Sequence, residues 1–323
     1  MRPEYALISG QGRSGTNWLL ELFDQSSETF CRNEPYGAPE SPLKALEDDR
    51  FLIRPSTSTL DAHWDDAVAW TSVHMGLRDP KVRVSKNFMY DGSRKLGLYR
   101  VLKGPRIRRW LGTILPSFRA AEWSVPPWIA NPERLAEATA ILKLVGAPGW
   151  IVFVLRHRPQ TPIFHIVRHP GGYLNSWANR WAKNRDMEAT RFDNQKRLQR
   201  IVEVSPEWAD RFGDISSMSV ERAELWAWIY VNEVIHQAGR ASDRYHHIIY
   251  EDLVSDPGGV VKSLYTSLGL AWTPEIEARV RAIGSTSAAI ASAWRTGLSP
   301  EHIALAEEFL AMEPEFYPSR ASS

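Results

Sequence analysis

The chain alternates short apolar runs with longer segments in which apolar residues recur at helical spacing. The short runs predict strands over residues 5–9, 28–32, 82–86, 161–167 and 245–250. Helical spacing predicts a helix that opens at Thr16 and Asn17, and further helices over residues 65–75, 132–144, 150–156, 172–183, 221–238, 258–268 and 300–312. Strands that alternate with helices favour an α/β fold with a parallel sheet.

The first strand leads into a glycine-rich turn, residues 10–15 (GQGRSG), and then directly into the first helix. Glycines let the backbone come close to a ligand, and the free N–H groups of a first helical turn attract anions. Ser14, Thr16 and Asn17 add neutral donors, and Arg13 adds a fixed positive charge. The segment therefore predicts a phosphate or sulfate site, with an ordinary strand–turn–helix as the alternative.

The turn has the glycine spacing of a nucleotide-triphosphate P-loop but not its catalytic residues. Gly10 and Gly15 match the two glycines, whereas Thr16 stands in place of the lysine and Asn17 in place of the metal-holding Ser or Thr. This combination is poorly suited to ATP hydrolysis. It suits a ligand that carries a phosphate and a group of lower charge, bound without a metal.

Residues 13–18 (RSGTNW) resemble the 5′-phosphosulfate loop of the sulfotransferase family. The resemblance implies a three-layer, P-loop-like α/β fold with a central parallel sheet flanked by helices. It also implies 3′-phosphoadenosine 5′-phosphosulfate (PAPS) as donor, the bisphosphate PAP as product and no metal. By the same resemblance, residues from Gly12 to Asn17 hold the phosphosulfate, and Trp18 stacks on adenine; packing of Trp18 in the core is an equal alternative.

A second anion-binding element follows the strand at residues 161–167. Arg168 ends that strand and Ser176 lies eight positions later on the next helix, so both can reach one phosphate at the carboxyl edge of the sheet. The spacing resembles the 3′-phosphate element of sulfotransferases. The alternative for Arg168 is an ion pair at a helix cap, and His169 is interpreted as a turn residue rather than a catalyst.

Glu34 is the candidate base, because a carboxylate in hydrogen-bond reach can take a proton from an acceptor hydroxyl. It follows the second strand, and the local sequence resembles the tyrosylprotein and carbohydrate sulfotransferase branch, which uses a glutamate base. The histidine of the small-phenol branch has no counterpart in residues 84–87 (VSKN). A surface or capping role for Glu34 stays open. Lys86 is either a second cation over the transferring group or a plain strand-end lysine.

Two later segments resemble family elements near the nucleotide. Residues 250–253 (YEDL) place Tyr250 near adenine, and residues 293–299 (AWRTGLS) make Arg295 a candidate to close over the 3′-phosphate. Ser285 and Ser287 compete with Arg295 for that role. Residues 93–119 form the most basic stretch, which is either a solvated helical excursion or a lid for an anionic substrate.

The composition is that of a globular protein, and the length allows one large domain or two ordinary ones. The resemblance implies a single sulfotransferase domain over residues 1–323, with an acceptor-binding or lid excursion around residues 36–130. With 39 Lys and Arg against 38 Asp and Glu, nothing favours nucleic-acid or membrane-surface binding. No apolar run is long enough to span a membrane, and the single cysteine, Cys31, excludes an internal disulfide. We therefore expect a cytoplasmic protein.

The sequence thus predicts transfer of a sulfuryl group from PAPS to a hydroxyl or amine of a small molecule, carbohydrate or natural product. Two alternatives remain: a P-loop nucleotide kinase or hydrolase, and a non-catalytic nucleotide-binding protein with the same fold.

Overall fold

The computed structural model describes most of the 323 residues. The described residues are 2–37, 41–53, 58–75, 84–90, 123–124, 129–181, 187–284, 288–312 and 314–317, with a few single positions between 101 and 114. No helix within these ranges is both long and apolar enough to cross a membrane.

A five-stranded parallel sheet organises the described chain. Its strands are β1 Tyr5–Gly10, β2 Thr29–Asn33, β5 Thr139–Val145, β6 Ile163–Val167 and β7 Tyr245–Ile249. Two further short strands, β3 His74–Met75 and β4 Trp123–Ser124, pair antiparallel with each other outside this sheet. The order in the sheet is β2-β5-β1-β6-β7. Because the strands are parallel, their carboxyl ends meet at one edge, where open α/β sheets bind ligands.

Helices connect these strands. They are α1 Thr16–Phe23, α2 Asp48–Phe51, α3 Ser58–Val73, α4 Pro132–Ala136, α5 Pro148–His157, α6 Pro170–Trp181, α7 Met187–Val204, α8 Ala209–Phe212, α9 Val220–Gly239, α10 Tyr250–Ser255, α11 Pro257–Ser267, α12 Pro274–Gly284, α13 Ala288–Ser292, α14 Trp294–Gly297 and α15 Pro300–Leu310. Short 3₁₀ turns occupy Pro35–Gly37, Pro42–Leu46, Pro206–Trp208 and Ile215–Ser217.

The sheet separates two hydrophobic cores, because successive side chains of a strand point to opposite faces. On one face Ile8 packs with α1, α10, α11 and α12; on the other Leu7 packs with α3, α5, α6 and α9. Both faces are therefore covered by helices, which confirms the predicted three-layer α/β fold and explains the long apolar runs in β1, β5 and β6.

One predicted helix is wrong. Residues 132–144 contain a short helix, Pro132–Ala136, followed by β5 in the middle of the sheet. The alanines favoured the helical interpretation, but the continuous apolar run that ends at Gly146 has strand length and pairs with both β1 and β2. This correction matters because β5 delivers Lys143 to the carboxyl edge of the sheet.

Other differences are smaller. The predicted strand at residues 82–86 falls partly outside the described residues, and its described part, residues 84–86, is irregular. The helix predicted over residues 65–75 begins earlier, at Ser58, and Tyr250 begins a helix instead of ending a strand. Two long helices, α7 and α12, were not predicted, and neither were the short helices α8, α10, α13 and α14. Most of residues 93–119 lies outside the described part of the chain.

Candidate active site

The turn between β1 and α1 lies at the carboxyl edge of the sheet and is closely packed at Gly15. Gly15 precedes the helix with φ 96° and accepts the Leu19 N–H at 3.0 Å, so the helix begins at Thr16. A Cβ at Gly15 would lie 2.5 Å from the Tyr250 ring. Glycine is therefore required here both by the left-handed backbone and by the close aromatic neighbour.

Arg13 and Glu34 share an unusual backbone conformation. Among the non-glycine residues that the structure describes, positive φ occurs at these two, with 73° at Arg13 and 51° at Glu34. Such conformations cost roughly 1–3 kcal/mol and concentrate at functional sites. The strain therefore marks two of the three residues that the sequence assigned to catalysis.

The structure brings together Arg13, Arg168 and Ser176. The Arg13 Nε donates to the Ser176 hydroxyl at 3.1 Å, and the Arg168 guanidinium donates to the Arg13 carbonyl at 3.4 Å. Arg168 is buried and lies over the Tyr250 ring at 4.5 Å. A Cβ at Gly172 would lie 2.6 Å from the Arg168 Nε, so the start of α6 leaves space for this side chain.

Several positive charges lie close together at this site. The pKa of Arg13 is lowered first by partial burial and then by the neighbouring cations Arg180 and Arg168. Burial also lowers the pKa of Arg168. Arg168 donates to the main-chain carbonyls of Arg13 and Ile290, and the Glu251 carboxylate only partly offsets the effect of burial on its pKa. A bound anion would relieve both the desolvation and the repulsion.

Three buried polar atoms around the turn have no hydrogen-bond partner in the described structure: the Ser14 hydroxyl, the Arg168 Nε and the Trp18 indole N–H. Buried polar groups are normally paired, so each of these atoms calls for a ligand or water. The Trp18 ring meets Tyr250 edge-on at 5.6 Å and is only partly buried. An aromatic pair thus adjoins the arginine.

A second cluster lies at the ends of β2 and β5. The buried Lys143 amine donates to the Glu34 carboxylate at 2.8 Å and also to the Asn17 side chain, next to the turn. Glu34 therefore lies near the anion-binding turn, and the Lys143 amine holds its carboxylate there. Sequence reasoning missed Lys143 because its strand was interpreted as a helix; a lone lysine in an apolar run before a glycine was the available signal.

Lys86 lies elsewhere, and the expectation that it faces the transferring group is wrong. Its amine contacts the Asp24 carboxylate at 3.0 Å and main-chain carbonyls of Asp24 and Ser26. These residues follow the carboxyl end of α1 and lead into β2, so they lie at the amino edge of the sheet, opposite the turn. Lys86 is buried in a structural ion pair.

The carboxyl-terminal segment covers the start of α6. The Ile290 carbonyl accepts from Arg168 at 2.9 Å, and the Trp294 ring stacks on His169 at 4.4 Å. Burial, Arg295 and Arg168 lower the pKa of His169 to about 4. Arg295 is exposed and lies over Trp294 at 4.6 Å. Ser285 and Ser287 lie outside the described residues.

A glycine turn and a second arginine at the carboxyl edge of a parallel α/β sheet are an arrangement that suits phosphate or sulfate groups. The Sulfotransferase family model matches residues 6–274, and the chain belongs to that family. The match includes the turn, Glu34, Lys143, Arg168 and Ser176.

Three solved structures are similar to this chain at low identity. The sulfotransferase domain from the curacin biosynthetic pathway is 16% identical, with coverage of 95% of this chain and 98% of that one and a TM-score of 0.47. The sulfotransferase domain of the Synechococcus PCC 7002 olefin synthase is 18% identical, with coverage of 96% of this chain and 98% of that one and a TM-score of 0.40. Sulfotransferase STF1 from Mycobacterium tuberculosis H37Rv is 16% identical, with coverage of 96% of this chain and 77% of that one and a TM-score of 0.40. No curated protein matches the sequence.

Proposed function

We propose that the protein transfers a sulfuryl group from PAPS to a hydroxyl or amine of a small molecule, carbohydrate or natural product. The observation that carries this proposal is the cluster of Arg13, Arg168 and Ser176, where two guanidiniums with lowered pKa lie together at the carboxyl edge of the sheet. A ligand with two separate anionic ends fits such an arrangement, because each arginine gains a counter-charge.

The residues present fit this donor. The turn N–H groups, Ser14 and Arg13 would hold its phosphosulfate end, and Arg168 with Ser176 would hold its 3′-phosphate. The unpartnered Ser14 hydroxyl and Arg168 Nε supply donors for these oxygens. Trp18 and Tyr250 offer aromatic faces for the adenine. Arg295, on the covering segment, would close over the 3′-phosphate.

The donor supplies an activated sulfuryl group, and the chain supplies charge stabilisation and a proton acceptor. Arg13 and the N–H groups at the start of α1 would stabilise negative charge as the bond from sulfur to the phosphate oxygen breaks. Glu34 would take the acceptor proton as the new oxygen–sulfur or nitrogen–sulfur bond forms. Lys143 would hold the Glu34 carboxylate in place, since it already binds both Glu34 and Asn17.

Two other functions remain to be tested. A P-loop kinase or hydrolase would need magnesium and a lysine after Gly15, where this chain has Thr16. A non-catalytic nucleotide-binding protein would bind adenosine 3′,5′-bisphosphate but transfer sulfate to no acceptor in a broad panel.

A thermal-shift comparison tests the proposal. Saturating adenosine 3′,5′-bisphosphate should raise the Tm by several degrees, because a ligand that binds only the folded state stabilises it. ATP with magnesium should raise it less. A larger shift with ATP and magnesium, or no shift with the bisphosphate, would contradict the proposal.

A further inference from the structure

A cavity of about 750 Å³ lies directly beside the glycine turn. Gln11 and Gly12 of the turn form one wall, and Val145 and Gly146 at the end of β5 form another. Residues 44–52 and helix α7 complete the lining. A bound molecule would therefore lie one residue away from Arg13, at the carboxyl edge of the sheet where the sulfuryl group is to be transferred.

The described lining of this cavity is strongly basic. Five cations face two carboxylates, the cations being Lys44, Arg50, Lys196, Arg197 and Arg200 and the carboxylates Glu47 and Asp193. The whole chain, in contrast, has a formal net charge of only +1. Arg50 is paired with Glu47 at 3.5 Å and Arg197 with Glu224, so the excess of positive charge comes chiefly from the exposed Lys44 and Lys196. Such an excess in a concave site favours an anionic ligand.

Two of these arginines are held in place and have an unused donor. Arg197 pairs with the buried Glu224 at 3.2 Å, and Arg50 lies over the Tyr36 ring at 4.6 Å. The Nε atoms of both arginines are buried and have no acceptor within the described part of the chain. Both residues also line the cavity, so an anion bound there would meet two guanidiniums that are already held in place.

Buried hydrogen bonds connect the cavity cations to the turn. The Gln11 amide donates to the Tyr173 hydroxyl at 3.2 Å, and that hydroxyl donates to the Glu224 carboxylate at 2.7 Å. The same carboxylate accepts from Arg197. The turn and Arg197 are thus parts of one network, so an anion bound at Arg197 is fixed in position relative to the turn.

The rest of the lining is apolar and comes from Ala45, Phe51, Leu52 and Val145. A volume of this size and a mixture of apolar surface with a few charged groups are typical of small-molecule sites. The apolar residues fit the carbon skeleton of an organic molecule, and the cations fit its charged end.

We infer that this cavity is the acceptor site, and that the acceptor is an organic anion with an apolar body and a carboxylate, phosphate or sulfate group. The inference rests on the proposed function and names its second substrate class. The cations bind the charged end of the acceptor, and its hydroxyl or amine is directed to the turn and Arg13.

Calorimetric titration of the full chain tests the inference. Adenosine 3′,5′-bisphosphate is added first at saturation, so that the donor site is filled and added anions cannot bind there. The probes are aryl and alkyl carboxylates, phosphate esters and sulfate esters, each paired with a neutral ester or alcohol of the same skeleton, such as 4-hydroxybenzoate with methyl 4-hydroxybenzoate. The best class of anion identifies the charged group.

Anions should bind about tenfold or more tightly than their neutral partners, the usual effect of one hydrogen bond to a charged group. Binding should weaken as salt rises. The double variant K44Q/K196Q should lose that preference, whereas Lys262→Gln, the same charge change on exposed α11, should keep it. Equal affinity for anions and neutral partners, no binding of either, or unchanged binding by the double variant would overturn the inference.

Failure of the proposed function gives a different result. Without a donor site, adenosine 3′,5′-bisphosphate would not bind to the wild type, whatever the probes do. If the protein binds the nucleotide but is not catalytic, the bisphosphate and the anions would bind and no acceptor would be sulfated. The K44Q/K196Q variant still decides the cavity question then, because neither lysine belongs to the turn or to the Arg168 site.

Discussion

The Arg13 Nε donates a hydrogen bond to the Ser176 hydroxyl at 3.1 Å, which joins two residues that are 163 positions apart in sequence. Through this bond the turn after β1 and the helix after β6 form one surface. Arg168 strengthens the connection by donating to the Arg13 carbonyl. The two anion-binding elements that the sequence suggested separately are therefore neighbours in the fold.

Arg168 should control nucleotide affinity. Arg168→Ala removes a buried guanidinium and its hydrogen bonds, so the Kd for adenosine 3′,5′-bisphosphate should rise by roughly 10- to 100-fold. Ser176→Ala, which removes one neutral partner, should have a smaller effect. Titration calorimetry measures both, with Arg240→Ala on an exposed ion pair as the control. Wild-type affinity in Arg168→Ala would exclude this residue from the binding site.

Glu34 should be needed for turnover and not for nucleotide binding. Glu34→Gln keeps the shape of the side chain but cannot take the acceptor proton, so kcat should fall by about 10²–10⁴-fold. The Kd for the bisphosphate should stay near its wild-type value. Glu307→Gln, on an exposed face of α15, is the matched control. Full activity in Glu34→Gln would remove Glu34 from the mechanism.

Lys86 should be important for stability and not for transfer. Its partner Asp24 is almost completely buried, so Lys86→Met leaves a carboxylate without a counter-charge and should reduce the free energy of unfolding by about 3–5 kcal/mol. Lys262→Met on the surface should change it little. Urea unfolding measures the loss. A variant of normal stability with reduced kcat would instead support a catalytic role.

The histidines between β6, β7 and α9 should make stability fall in acid. Burial lowers the pKa of His165 to about 3 and that of His247 to about 4, whereas both should titrate near 6.5 when unfolded. The unfolded chain therefore binds more protons below pH 6.5. The free energy of unfolding is therefore unaffected by these histidines above pH 6.5. It decreases as the pH falls from 6.5 toward 4, by up to about 1.4 kcal/mol per pH unit for each histidine.

Urea unfolding at pH 7.5, 6.5 and 5.5 measures this dependence. His247→Gln, which stays neutral throughout, should reduce the slope, and the exposed His63→Gln should not. A free energy of unfolding that does not change over this range, or an unchanged slope in His247→Gln, would show that these histidines do not cause the loss of stability in acid.

The sequence predicted the local part of the site well, because a strand, a glycine turn and a helix start are all determined by neighbouring residues. Gly15 and Thr16 illustrate this: the left-handed glycine and the helix start are both where the pattern places them. The strand before Arg168 and the helix after it were equally clear, because the apolar run and the glycines lie within a few positions.

The rest depended on pairing between distant strands, which no local pattern encodes. Alanine-rich residues 132–144 suggested a helix, so β5 and with it Lys143 were missed. Lys86 was assigned to the wrong edge of the sheet, because a lysine at the end of an apolar run does not indicate to which edge of the sheet its amine points. Its partner Asp24 can be identified only when the position of α1 in the fold is known. The basic cavity likewise combines α7 with residues 44–52, which are far apart in sequence.

One donor molecule should connect the turn at Arg13 with the pair Arg168 and Ser176. A crystal structure of the protein soaked with adenosine 3′,5′-bisphosphate tests it most directly. We expect density for the 5′-phosphate against the N–H groups of the turn and for the 3′-phosphate against Arg168 and Ser176. Density elsewhere, or both places empty at saturating ligand, would contradict it.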